Sequence, residues 1–115
     1  MKLPAESYLL RVFVGESDKL GRKPLYQAIV EEARQQGLAG ATALRGFLGF
    51  GANSRIHTSR VLRLSEDLPV VVEIVDSKDR IEGFMPVLNT MINEGLVTLE
   101  KVRVVTYRAK DKAIC

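Results

Sequence analysis

Cysteine and histidine are each used once in this chain, at Cys115 and His57. A single thiol at the last residue supports neither a disulfide framework nor a thiolate metal cage, which suits a reducing cytosol. Nor does it have the basic, preorganised surroundings that make a cysteine nucleophilic. One imidazole leaves no second ring for a histidine pair within a subunit, and metal ligands at recognised spacing are missing. There is no Gly-x-Ser-x-Gly elbow, and the Gly-rich fingerprints of dinucleotide and triphosphate binding do not occur. These absences argue against an enzyme and against a required cofactor. No apolar run is long enough to span a bilayer, and Met1-Lys2-Leu3-Pro4 does not begin a signal-peptide core. The expectation is a soluble cytoplasmic protein with no direct membrane insertion. Internal repeats and low-complexity stretches are lacking too.

Charge of one sign is scarce: 17 Lys and Arg against 14 Asp and Glu leave a net charge of +3. That mild excess suits an anionic ligand but falls short of a nucleic-acid-binding footprint. Hydrophobic residues make up 46% and charged residues 27% of the 115 positions. That is a globular balance, and a chain of this length can bury a core without disulfides.

Tyr8 to Val14 (YLLRVFV), ended by Gly15, reads as a strand. After the polar segment Glu16 to Lys23, Pro24 suits the first turn of a helix. Leu25, Tyr26, Ile29, Val30 and Ala33 recur at helical spacing, and Gly37 stops that helix. Ala43 to Leu48 reads as a second strand, followed by Gly49-Phe50-Gly51 and a polar loop, Ala52 to Arg60. Val61 to Leu64 continues or returns that strand, and Val70 to Asp76 forms a third. Asp76 or Ser77 caps a second helix, with Asp79 in its first turn. Ile81, Phe84, Met85, Leu88, Met91 and Ile92 share one face of it. Pro86 inside that pattern implies a kink or a new helix start. Gly95 ends the helix, and Leu96 to Arg108 is the last strand.

The order β-α-β-β-α-β with short connections predicts an α+β, ferredoxin-like sandwich, with a four-stranded antiparallel sheet and both helices on one face. It forms one domain over residues 1–115, with its core at about 8–108, an exposed loop at 52–60 and a loose tail at 109–115. RNA-recognition modules on this fold stack bases on aromatics of the middle strands. Val70 to Asp76 has none, so no nucleic-acid partner is expected.

A solvated antiparallel face reads clearly polar. Here both faces keep aliphatic or aromatic groups: Tyr8, Leu10, Val12 and Val14 oppose Leu9, Arg11 and Phe13 on the first strand, and Val70, Val72 and Ile74 oppose Val71, Glu73 and Val75 on the third. The last strand offers Leu99, Lys101, Arg103, Val105 and Tyr107 on one side, Thr98, Glu100, Val102, Val104 and Thr106 on the other. Fully burying such an aliphatic side chain is worth roughly 1.5–3 kcal/mol. Copies of the chain are therefore expected to cover the open face.

Leu68-Pro69-Val70-Val71-Val72-Glu73-Ile74-Val75-Asp76, then Ile81 and Met85-Pro86, then Glu94 through Val102, with the lead-in Gly46 to Gly51, resemble the PII-like family called domain of unknown function 190. The similarity runs from about Tyr8 to Arg108. More distantly, Gly49-Phe50-Gly51 with His57-Thr58, and Leu68-Pro69 before Glu73-Ile74-Val75, are similar to nitrogen-signalling PII proteins. That resemblance implies a PII-like homotrimer with an adenine nucleotide as effector in clefts between subunits. It also implies a regulated partner, such as a membrane transporter or channel, met through the 52–60 loop. Where the PII phosphate-binding turn should lie, Glu94 to Lys101 keeps a single glycine. AMP or ADP, or another small molecule, is thereby favoured over a triphosphate. The loop has no tyrosine, so control by uridylylation does not carry over.

The candidate ligand-binding residues are Gly49, Phe50, Gly51, Arg55, His57, Val75, Gly95, Arg103 and Arg108. Gly49 and Gly51 let backbone approach a ligand while Phe50 packs on a base, although glycines there also simply bend a strand. Arg55, His57 and Arg60 either grip an anion or form a solvated tip. Val75 matches a PII position against adenine, and Arg103 and Arg108 match PII arginines that meet phosphate. The alternative of another class is a divalent-metal-binding trimer similar to the CutA proteins, with His57 as a ligand.

Overall fold

The apolar alternation of two strands builds the centre of this computed structural model, which describes residues 3–51 and 68–108. Strand β1 spans Glu6–Gly15 and β5 spans Pro69–Asp76. They pair antiparallel from Tyr8 opposite Asp76 to Gly15 opposite Pro69. Between them in the chain lie the two-residue strands β2 (Lys19–Leu20) and β3 (Lys23–Pro24), helix α1 (Leu25–Gln35) and strand β4 (Thr42–Arg45). Helix α2 (Lys78–Met91) and strand β6 (Leu96–Arg103) follow β5. The main sheet has the order β4-β5-β1-β6, all antiparallel. This is the expected ferredoxin-like topology.

Period-2 burial puts Leu10, Val12 and Val14 of β1 and Val70, Val72 and Ile74 of β5 on one face. There they form one core with Leu25, Ile29 and Ala33 of α1 and Ile81, Phe84 and Leu88 of α2. Both helices therefore cover the same side. Among the described residues no helix is long and apolar enough to cross a membrane.

The helix ends follow local chemistry. Gly37, at φ +79°, closes α1 by donating its N–H to Arg34, while Leu38 donates to Ala33. This paired closure uses carbonyls that the helix leaves unpaired. Pro24 caps α1 one residue before its first turn. Ser77 caps α2 by accepting from the Arg80 N–H at 3.3 Å. Pro86 does not divide α2, which runs uninterrupted. Pro86 and Glu82, whose carbonyl loses its helical donor, are both exposed, so water can satisfy that carbonyl.

Three expectations about strands are corrected. The second strand stops at Arg45, not Leu48. Gly46 donates its N–H to the Pro69 carbonyl at 2.7 Å, but Pro69 has no N–H to return, so the ladder ends. The last strand ends at Arg103, not Arg108, because its partner β1 begins at Glu6, opposite Arg103. The polar segment after β1 contains the hairpin β2–β3, turned at Gly21 with φ +65°.

Gly95 sits where α2 hands over to β6, at φ +157°, and a Cβ there would lie 2.7 Å from the Phe13 carbonyl oxygen. Gly95→Ala must therefore push β6 away from β1. We expect a loss of about 1–3 kcal/mol, measured by urea unfolding against Gly83→Ala. At Gly83, inside α2, an added Cβ meets nothing within 4 Å.

Candidate functional site

The open side of the sheet is apolar at its edges and charged at its centre. Leu9, Phe13, Val71 and Val75 are half-buried, and Leu44 and Leu96 are exposed. Arg11 stands among them and binds Glu73 at 2.9 Å and Glu100 at 2.7 Å. Its hydrogen bond to Glu73 leads the influences that raise its pKa above the ordinary arginine value, with the Glu100 charge acting the same way. The guanidinium therefore stays charged. A surface trio of this kind contributes little to stability; it spans three neighbouring strands, β5, β1 and β6.

The sequence candidates separate into two groups at opposite ends of the sheet. At the end where β1 finishes, Gly46 and Gly49 fold against the Pro69 ring. Added Cβ atoms would lie 2.9 Å and 3.0 Å from Pro69 Cγ. That close approach holds the loop down and leaves Phe47 90% and Phe50 68% exposed. Gly51 follows, and Gly95 lies at this same end beside Phe13 and Val14. Glu16 and Arg45 form an ion pair here.

Val75, Arg103 and Arg108 belong to the other end. Val75 is the penultimate residue of β5, opposite Leu9. Arg103 closes β6 opposite Glu6, and Arg108 is exposed beyond it. Six strand steps separate Pro69 from Val75, roughly 20 Å at strand rise. One chain therefore does not bring the two groups together. Arg55 and His57, with Arg60 and the whole 52–60 loop, lie outside the described residues, as does Val61 to Leu64. Among the described residues no group of three His, Cys, Asp or Glu side chains is placed to hold a metal ion.

The structure adds polar residues for which sequence reasoning had foreseen at most a capping role. Asp76 is 1% exposed. Its Oδ2 accepts from the Ala39 N–H at 2.8 Å and from Arg80 Nε at 3.3 Å, and its Oδ1 accepts from the Ser77 N–H at 2.7 Å. Arg80 also donates to the Gly37 carbonyl. The Tyr107 hydroxyl donates to the Ala39 carbonyl at 2.9 Å. The signal for Asp76 was parity: it shares the inward set of Val70, Val72 and Ile74, where an unpaired carboxylate would be costly.

Comparison with known proteins fits this architecture. The model of the family DUF190, described as Uncharacterized ACR, COG1993, matches residues 7–104. A UPF0166 protein of Aquifex aeolicus is 39% identical over 97 residues, 84% of this chain and 91% of that protein. A UPF0166 protein of Methanocaldococcus jannaschii is 32% identical over 92 residues, covering 79% and 84%. Among solved structures, CPII of Thiomonas intermedia bound to ADP, AMP and acetate superposes with a TM-score of 0.56 at 13% identity, covering 88% of this chain and 90% of that one. The same protein, a nitrogen regulatory PII-like protein, bound to ADP, AMP and bicarbonate gives a TM-score of 0.55 at 14% identity, covering 86% and 88%. At that identity the likeness concerns the fold, which is PII-like. The family match over most of the chain and the two relatives above 30% identity place this protein in the DUF190 family.

Proposed function

We propose that this chain is a PII-like signalling protein of the cytoplasm that works by binding and not by catalysis. Its ligand is a small molecule, an adenine nucleotide such as AMP or ADP, held in clefts between the subunits of a homotrimer. One observation carries this reading: Gly49, Phe50, Gly51 and Gly95 lie roughly 20 Å from Val75, Arg103 and Arg108 along the sheet. A nucleotide cannot touch both groups in one chain, whereas two chains meeting across the open face could each supply one. The structures of CPII with ADP and AMP support the choice of ligand. Arg103 and Arg108 supply guanidinium forks for phosphate, and Phe50 offers a ring to a base.

Occupancy is read out through the 52–60 loop, which follows directly on Gly51 and meets a partner protein, a membrane transporter or channel. Ordering of such a loop by a ligand is an established kind of switch. Isothermal calorimetry with AMP, ADP, ATP and cyclic nucleotides tests the reading. Micromolar binding of AMP or ADP, with ATP weaker, is the expected result. Absence of any binding below millimolar concentration removes the nucleotide from the proposal.

A further inference from the structure

Both backbone groups of one residue, Ala39, are taken up by side chains from distant parts of the chain. Its N–H goes to buried Asp76 at the end of β5, and its carbonyl to Tyr107 beyond β6. The turn containing Ala39 is held a third time, at the Gly37 carbonyl, by Arg80 of α2. Three parts of the fold thus meet on the turn between α1 and β4. Two members of this clasp adjoin proposed ligand residues: Val75 precedes Asp76, and Arg108 follows Tyr107.

The segment after β6 has little else to fix it. Val104 donates its N–H to the Ala5 carbonyl at 2.7 Å, and Val105 is 87% exposed. Among the described residues, the next hydrogen bond that ties this segment down is that of the Tyr107 hydroxyl. We infer that Tyr107 is a positioning residue. Its hydroxyl latches residues 104–108 to the α1–β4 turn and so sets Arg108 relative to Val75 for the ligand. This inference rests on the nucleotide reading above.

The structural half of the latch can be tested without ligand. Tyr107→Phe removes the hydroxyl and keeps the ring. Hydrogen exchange followed by NMR on the ligand-free protein should show the Val104 amide, which the Ala5 carbonyl holds, exchanging about fivefold faster, the scale of one exposed hydrogen bond. Calorimetry with ADP should show affinity weakened about fivefold or more. Ile29→Val is the control: it removes a methyl from the buried core of α1 and lowers stability while ADP affinity holds.

A spectroscopic signature separates positioning from mere bracing. The chain has no tryptophan and three tyrosines, so Tyr8→Phe combined with Tyr26→Phe leaves Tyr107 as the sole fluorophore of this kind. Saturating ADP should then change its emission. Unchanged exchange in Tyr107→Phe overturns the latch itself. Faster exchange with unaltered ADP affinity and a silent Tyr107 emission leaves the latch but overturns its role toward the ligand. A wild-type protein that binds no nucleotide removes the ligand half of the inference, while the exchange result still decides the latch.

Discussion

Asp76→Ala should lower stability by about 3 kcal/mol, the largest loss expected from any single polar substitution in this fold. The carboxylate is buried and accepts from two backbone N–H groups, of Ala39 and Ser77, and from Arg80. Removing it leaves those donors without their partner, at roughly 1–3 kcal/mol for each buried one. For a domain of this size the thermal midpoint should fall by about 10–20 °C, measured at fixed protomer concentration because association contributes to the midpoint. Asp76→Asn keeps one acceptor oxygen and should lose less. A midpoint for Asp76→Ala within about 3 °C of wild type would show that water replaces the carboxylate easily, and the clasp would then have no energetic weight.

The second large effect concerns the uncovered side of the sheet. Leu9, Phe13, Leu44, Val71, Val75 and Leu96 together offer roughly 5–10 kcal/mol per chain if association completes their burial. That is enough to offset a substantial part of the cost of association. Val71 pairs with Phe13 on one side and Leu44 on the other, on the middle strand β5. Val71→Glu therefore places a charge among apolar neighbours without touching the core that β1 and β5 share with the helices. Sedimentation equilibrium should find three chains of 12.8 kDa together in the wild type and separate chains in the variant, with unchanged far-ultraviolet circular dichroism. A wild type that sediments as one chain at micromolar concentration removes the clefts, and an associated Val71→Glu shows that another surface holds the copies together.

How far the sequence could be read depended on the range of each interaction. Alternation in Tyr8 to Val14 and Val70 to Asp76 sorted the side chains into two faces, because strand periodicity is local, and the packing of the helices decided which face is inward. Gly37 was readable as a helix stop and Asp76 or Ser77 as a cap for the same reason, and the structure gives the cap to Ser77. Pro86 allowed a kink or a new helix start, and the second is excluded: exposure of the carbonyl it frees lets α2 continue. The hairpin at Gly21 was missed because two-residue strands carry no periodicity. The ends of β4 and β6 were misjudged because a strand ends where its partner stops pairing, at Pro69 and at Glu6.

By itself, then, the order and spacing of apolar residues determined the ferredoxin-like topology and the two opposed side-chain sets of β1 and β5. The resemblance in Leu68 to Asp76 and Glu94 to Val102 pointed to the family. Only tertiary structure decided that Gly49 and Val75 stand at opposite ends of one sheet, and that Ala39, Asp76, Arg80 and Tyr107 meet. Side-chain parity and helix caps are settled within a few residues. The meeting of positions 39, 76 and 107 depends on the register of strands far apart in sequence, which no local pattern encodes.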